Sequence, residues 1–139
     1  MSSVSVLIVD DHESFRRVAR SVVEATDGFA VAGSAASGEE SIEAAARLRP
    51  DLVLMDVNMP GIDGIEATRR LSALSHPPVV VLLSTYDEDD FDPTARECGA
   101  AAYVAKSVFG PDRLVEAWTM ATGTSSADAR PIGASSDDA

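Results

Sequence analysis

The chain has 139 residues, 45% of them hydrophobic and 24% charged, with a formal net charge of −12. That length suits one domain with its own core, and no apolar run reaches the roughly 18 residues a membrane span needs. The negative charge argues against nucleic acid as a direct partner, because phosphate contacts need clustered Lys and Arg; here the positive residues are scattered Arg, and Lys106 is the only lysine.

Apolar, β-rich runs alternate with helix-patterned stretches along the chain. Val4–Val9 reads as a strand, followed by a helix over residues 14–25 with Phe15, Val18, Val22 and Ala25 on one face. Phe29–Ala35 is a weaker second strand. A helix over residues 37–48 opens with Ser37 as N-cap and Glu40 three residues on, a capping-box pattern. Leu52–Asp56 is the third strand, and a third helix runs from about residue 63 to 74, with Asp63 as its cap. Val79–Ser84 is the fourth strand. Pro93 then falls where a helix is expected; proline suits a first turn and breaks an interior. A short helix starting near Asp92 follows, ending at Cys98 with Gly99 as left-handed cap. Residues 101–105 form the fifth strand, and Pro111–Thr122 the last helix, with Leu114, Trp118 and Ala121 along one face. Residues 123–139 hold Ile132 as their one large apolar side chain and are expected to be a disordered tail or linker, leaving 1–122 as the folded domain.

No basic-then-apolar leader opens the sequence, and a single cysteine forbids an internal disulfide, so a cytoplasmic address is expected. Cys98 itself reads as a small packing residue.

Strands that alternate with helices make a parallel sheet covered on both faces. Right-handed crossovers give an α/β doubly wound fold, with strand order 2-1-3-4-5 expected. In such sheets ligands bind beyond the carboxyl ends of the strands. Strand one ends in Asp10 and Asp11, strand three in Asp56, strand four in Ser84 and Thr85, and strand five in Lys106. The edge strand, strand two, offers only Ala36 and Ser37. Taken singly, these residues have plain readings: a helix cap for Asp10-Asp11, a loop start for Asp56, a turn for Ser84, a solvated strand end for Lys106. Their joint placement on one rim favours a shared site. His12, a lone histidine beside acids, reads as solvent-exposed and is left out of it.

Carboxylates this close repel unless one is protonated or a cation is bound. Oxygen ligands without a His or Cys cluster point to a hard ion, Mg²⁺. Lys106 supplies positive charge, and Ser84 a donor, for a phosphoryl group sharing that ion. An aspartate can itself be the nucleophile and form an acyl phosphate.

The pieces "VDDH", "DVNMPGIDG", "LLSTYD" and "YVAKS", in this order, resemble the receiver domains of bacterial two-component response regulators, the CheY-like family with a five-stranded flavodoxin-like fold. The resemblance covers about residues 4–122. "VDDH" and "VVLLSTYDED" are similar to the NarL/FixJ-type branch, whose members often carry a C-terminal helix-turn-helix domain. The resemblance implies that Asp56 accepts a phosphoryl group from a sensor histidine kinase or phosphotransfer protein. It implies that Asp11 binds Mg²⁺ directly and Asp10 partly through water, with Asp56 and the backbone carbonyl of Asn58 completing the protein ligands. Ser84 would hydrogen-bond the phosphoryl oxygens, with the Thr85 N–H nearby, and Lys106 would pair with their charge. Tyr103 occupies the family's aromatic switch position, and Asn58 and Tyr86 the positions that tune hydrolysis of the acyl phosphate. The implied output is a changed surface for an unknown downstream protein, with homodimerisation on phosphorylation usual among relatives. Two departures stand out: Ser107 follows the lysine where many relatives have proline, and Pro93 falls in the fourth-helix region.

A phosphoacceptor module of this kind is a signalling switch, not an enzyme with a released product. The alternative is the N-terminal receiver part of a longer DNA-binding regulator. A haloacid-dehalogenase-type phosphatase also uses an Asp nucleophile with Mg²⁺, but places it after strand one as D-x-D, which this sequence does not match. A flavin site is disfavoured by the carboxylates crowding the rim.

Overall fold

The computed structural model describes residues 3–85 and 98–123. The β-rich runs become strands β1 (Val4–Val9), β2 (Phe29–Ala35), β3 (Leu52–Asp56), β4 (Val79–Ser84) and β5 (Ala102–Ala105). All pairs are parallel and the order is β2-β1-β3-β4-β5, as the sequence predicts. The helices among the described residues are α1 (Glu13–Glu24), α2 (Gly38–Leu48), α3 (Gly64–Ser72) and α4 (Pro111–Thr122). The first four strands occupy the predicted residues, while β5 starts one residue later than its sequence suggests.

Strand alternation splits the core into two layers. Val4, Val6 and Ile8 of β1 and Leu52 and Leu54 of β3 pack with Ala19 and Val23 of α1 and Leu114, Ala117 and Trp118 of α4. On the other face, Leu7, Val9, Val53 and Met55 pack with Ala44 and Ala45 of α2 and Ala67 and Leu71 of α3. Burial on both faces explains why β3 is apolar at every position before its last. Fully burying a Leu or Ile stabilises by about 1.5–3 kcal/mol, and Leu7, Ile8, Leu52 and Leu54 are all buried.

The buried stripe of α1 differs from the predicted one. Val18 is 51% exposed, whereas Ala19 and Val23 face the sheet, with Phe15 and Val22 half-buried beside them. The true stripe follows i, i+4, i+7, i+8 from Phe15; reading only large side chains overlooked Ala19, whose small size lets α1 lie close on β1.

Side-chain caps fix the starts of α2 and α3. Ser37 Oγ accepts from the Glu40 N–H at 3.0 Å, while Glu40 Oε1 accepts from the Ala36 N–H at 2.7 Å, so the capping box reaches one residue further back than expected. Asp63 Oδ1 caps α3 by accepting from the Glu66 N–H at 2.8 Å. At the end of α2, Arg49 takes the left-handed conformation usually given to glycine, with φ 49°, and Pro50 blocks continuation of the helix. The expected short helix around Pro93, the residue Tyr86 and the tail beyond residue 123 lie outside the described residues. Gly99 does adopt the positive φ predicted for it, +106°.

Candidate functional site

Register brings the acids together. β1 and β3 pair Val9 with Met55, so the next residues, Asp10 and Asp56, emerge side by side at the ends of the two central strands. Both continue the face of their strands that packs on α1 and α4. β4 and β5 pair Ser84 with Ala105, so Lys106 leaves the sheet one step further on, beside them.

The lysine bridges the two carboxylates. Lys106 Nζ donates to Asp10 Oδ2 at 2.6 Å and lies 3.2 Å from Asp56 Oδ1. Both acids are buried and the lysine nearly so. On its other side the ammonium sits 4.5 Å from the centre of the Phe15 ring, a cation–π contact. Phe109 stands behind Phe15, with ring centroids 6.4 Å apart. The α1 stripe thus positions an aromatic face under the Lys106 ammonium.

Asp10 is held from several directions. Its Oδ1 accepts from the His12 N–H at 2.8 Å, and its carbonyl accepts from Arg16 Nη1 at 2.7 Å. His12 is exposed, as its sequence position suggests, yet its Nδ1 lies 3.2 Å from Asp10 Oδ1 and 3.2 Å from Asp11 Oδ1. Asp11 Oδ1 is nonetheless buried and accepts no hydrogen bond.

These surroundings shift the ionisable groups. Burial, reinforced by the nearby charge of Asp10, pushes the Asp56 carboxyl up to about 6, against the lowering pull of Lys106. For Lys106, burial works to lower the ammonium, but the hydrogen bond to Asp10 and the charges of Asp56 and Asp10 outweigh it, and the group rises above its ordinary value.

The donor set fits a divalent cation. Ligand atoms of Asp10, Asp11, His12 and Asp56 all lie within 4.8 Å of one another. A buried carboxylate oxygen without a hydrogen bond, and a carboxyl pushed up by burial and the nearby charge of Asp10, are both features that a bound cation relieves.

The other predicted residues lie around this centre. Ser84 is buried, and strand alternation places it on the α2–α3 side of the sheet. Tyr103, in register with Leu82, is half-buried on that same side. Thr85 and Asn58 are exposed, and Tyr86 lies outside the described residues. Ser107, after Lys106, begins no new strand but continues a short 3₁₀ turn, Lys106–Val108.

Sequence reasoning missed four contributors: His12, Phe15, Arg16 and Gly64. A Cβ on Gly64 would fall well inside 3.0 Å of the Asp56 carbonyl oxygen, so only glycine lets α3 start hard against the end of β3. The Gly64 N–H also donates to the Val57 carbonyl at 2.8 Å. The signal was present in "PGIDG", whose second glycine sits at the helix start and not in the turn. For His12 and Phe15 the signal was adjacency to Asp10-Asp11 and the i+4 spacing to Ala19.

The response regulator receiver domain family model matches residues 6–119. The response regulator GacA of Pseudomonas viridiflava is 45% identical over 115 residues, covering 82% of this chain and 53% of that protein. UvrY of Escherichia coli K12 is 35% identical over 114 residues, covering 82% and 52%. The chain therefore spans about half the length of the curated relatives it matches. Among solved structures, the signal receiver domain of the putative response regulator NarL from Mycobacterium tuberculosis superposes with a TM-score of 0.79 at 29% identity, over 89% of this chain and 100% of that one. With strand order, acidic rim and sequence match in agreement, the chain belongs to the response regulator receiver domain family.

Proposed function

We propose that Asp56 is the phosphoacceptor of a signalling switch, taking a phosphoryl group from a phosphohistidine on a sensor histidine kinase or phosphotransfer protein. The observation that carries this reading is the position of Asp56: buried at the end of a central strand, 3.2 Å from the only lysine, beside Asp10. An Asp56 carboxylate oxygen attacks phosphorus, the donor's P–N bond breaks, and the electron pair leaves with the imidazole, which takes a proton. Lys106 is placed to pair with the charge on the transferred phosphoryl oxygens. Ser84, at the end of the neighbouring strand, is the donor that moves toward those oxygens, with the Thr85 N–H beside it and Tyr103 following Ser84 on the same face of the sheet. Asp10, Asp11, Asp56 and the Asn58 carbonyl are the residues for Mg²⁺. When bound, the ion offsets the negative charge that gathers in the transfer. Asn58 and Tyr86 flank the acceptor and tune the lifetime of the acyl phosphate. The product is a changed surface for a downstream protein in the cytoplasm, and the protein turns over only its own phosphoryl group.

Incubation with acetyl phosphate and Mg²⁺, read by intact mass, tests this. One phosphoryl adduct is expected on the wild type and none on Asp56→Asn; an unmodified wild type would contradict the reading.

One observation favours a second reading, in which the chain is the receiver part of a longer DNA-binding regulator. The transcriptional regulatory protein LiaR of Bacillus subtilis is 41% identical over 105 residues, yet that match covers 49% of its length. An in-frame DNA-binding domain following Ala139 in the native gene would establish it, and a stop codon there would exclude it.

A further inference from the structure

We infer that His12 is itself a ligand to the cation of this site and broadens the range of divalent ions it accepts. The inference rests on the cation-site reading above and adds a nitrogen donor to it. His12 Nδ1 lies 3.2 Å from Asp10 Oδ1 and 3.2 Å from Asp11 Oδ1, while a ligand atom of Asp56 completes a group within 4.8 Å. A six-coordinate ion with bonds of about 2.1 Å holds neighbouring ligand atoms about 3 Å apart and opposite ones about 4.2 Å apart. The two 3.2 Å spacings from His12 Nδ1 to the acids are close to those between neighbouring ligands of such an ion.

The ring is placed there by the backbone. His12 is the N-cap residue of α1 and makes no side-chain cap hydrogen bond. Its N–H is instead tied to Asp10 Oδ1 at 2.8 Å, which fixes the ring's root against the acids. The side chain is 67% exposed, so it stands at the mouth of the site, where an arriving ion meets it before the buried carboxylates. On binding, the Nδ1 lone pair goes to the ion, and any proton on Nδ1 leaves to solvent.

Carboxylates alone suit Mg²⁺, whereas imidazole adds affinity for Mn²⁺, Co²⁺, Ni²⁺ and Zn²⁺, rising along the series toward copper. The rim is thus a mixed oxygen–nitrogen site that takes borderline ions as well as Mg²⁺.

Calorimetric titration of the whole chain with Mg²⁺, and separately with Co²⁺, tests this on wild type, His12→Gln and Asp56→Asn. His12→Gln is expected to weaken Co²⁺ binding about ten-fold or more and to shrink the preference for Co²⁺ over Mg²⁺ by a similar factor. In the Co²⁺ form, the His12 imidazole resonances should be hyperfine-shifted, while His76, before β4 at the opposite end of the sheet, stays in place as an internal control. Equal Co²⁺ affinity in wild type and His12→Gln, with Mg²⁺ binding intact, would overturn the inference and leave the cation site standing. Failure of both ions to bind the wild type would overturn the two together.

Discussion

Lys106 Nζ donates a 2.6 Å hydrogen bond to Asp10 Oδ2, joining residues 96 apart in sequence. The same ammonium lies 3.2 Å from Asp56 Oδ1, so one positive charge holds two buried carboxylates at the ends of adjacent strands. Before any cation arrives, the site's integrity depends on that lysine.

Replacing Lys106 by Met leaves Asp10 and Asp56 buried without their counter-charge. Breaking a buried pair on one side is destabilising by about 3 kcal/mol. Urea unfolding at pH 7 without divalent ions should show a loss of that order, and added Mg²⁺ should narrow the gap to wild type. Because the folded-state value of Lys106 is raised, its contribution is fully present below the ordinary lysine value of 10.5 and fades only as pH rises through the higher folded value. An unchanged midpoint at pH 7 would show that the lysine is solvated, not paired.

Asp56 gives the stability curve a pH slope of known sign. Its folded value of about 6 lies above the ordinary 3.8, so between those pH values the folded chain holds a proton the unfolded chain has lost. Stability therefore falls as pH rises through that window; at about 1.4 kcal/mol per pH unit the full effect is about 3 kcal/mol. Asp56→Asn should remove this component, making the variant more stable than wild type at pH 7 without Mg²⁺. Conversely, millimolar Mg²⁺ should raise the wild-type melting temperature and raise that of Asp56→Asn less. Parallel pH profiles for the two proteins would contradict the assignment.

Gly64→Ala probes the close approach behind the acceptor. The new Cβ would run into the Asp56 carbonyl oxygen, a backbone atom that cannot swing aside. A loss of about 2–4 kcal/mol is expected from the forced backbone shift, with weaker Mg²⁺ binding because Asp56 moves with its own carbonyl. Gly110→Ala, whose added Cβ would have nothing within 4 Å, is the control for bulk alone; as the N-cap of α4 it should cost no more than about 1 kcal/mol.

Asp63→Ala removes the cap of α3, whose Oδ1 accepts from the Glu66 N–H at 2.8 Å. A destabilisation of about 1 kcal/mol is expected, with Asp63→Asn or Asp63→Ser recovering most of it. Chemical denaturation of the three variants measures this directly.

Much of this architecture was legible in the sequence because the signals were local and repeated. Val4–Val9, Leu52–Asp56 and Val79–Ser84 are each apolar at all but one position, a pattern that suits a sheet buried on both faces. Once the sheet was doubly wound, the strand ends placed Asp10, Asp56 and Lys106 on one rim. What stayed hidden depended on contacts between distant or small residues. Ala19 replaced Val18 on the buried stripe because close packing, not hydrophobicity, chose the face. The Phe15 ring beneath Lys106 joins α1 to the end of β5, a meeting that no local pattern encodes. A single histidine in a loop carries no spacing signal; the nearness of His12 to the site shows only in the contacts of its Nδ1 with Asp10 and Asp11. Arg49 ends α2 in a left-handed conformation without the glycine that usually announces it.

Locating the phosphoryl group tests the role of Asp56 at the level of a single atom. Wild-type protein treated with acetyl phosphate and Mg²⁺ is reduced with borohydride, which converts an aspartyl phosphate to homoserine, and is then mapped by peptide sequencing in the mass spectrometer. Homoserine at position 56 alone is the expected outcome. Homoserine at Asp10 or Asp11, or its absence from every aspartate, would contradict the assignment of Asp56 as the acceptor.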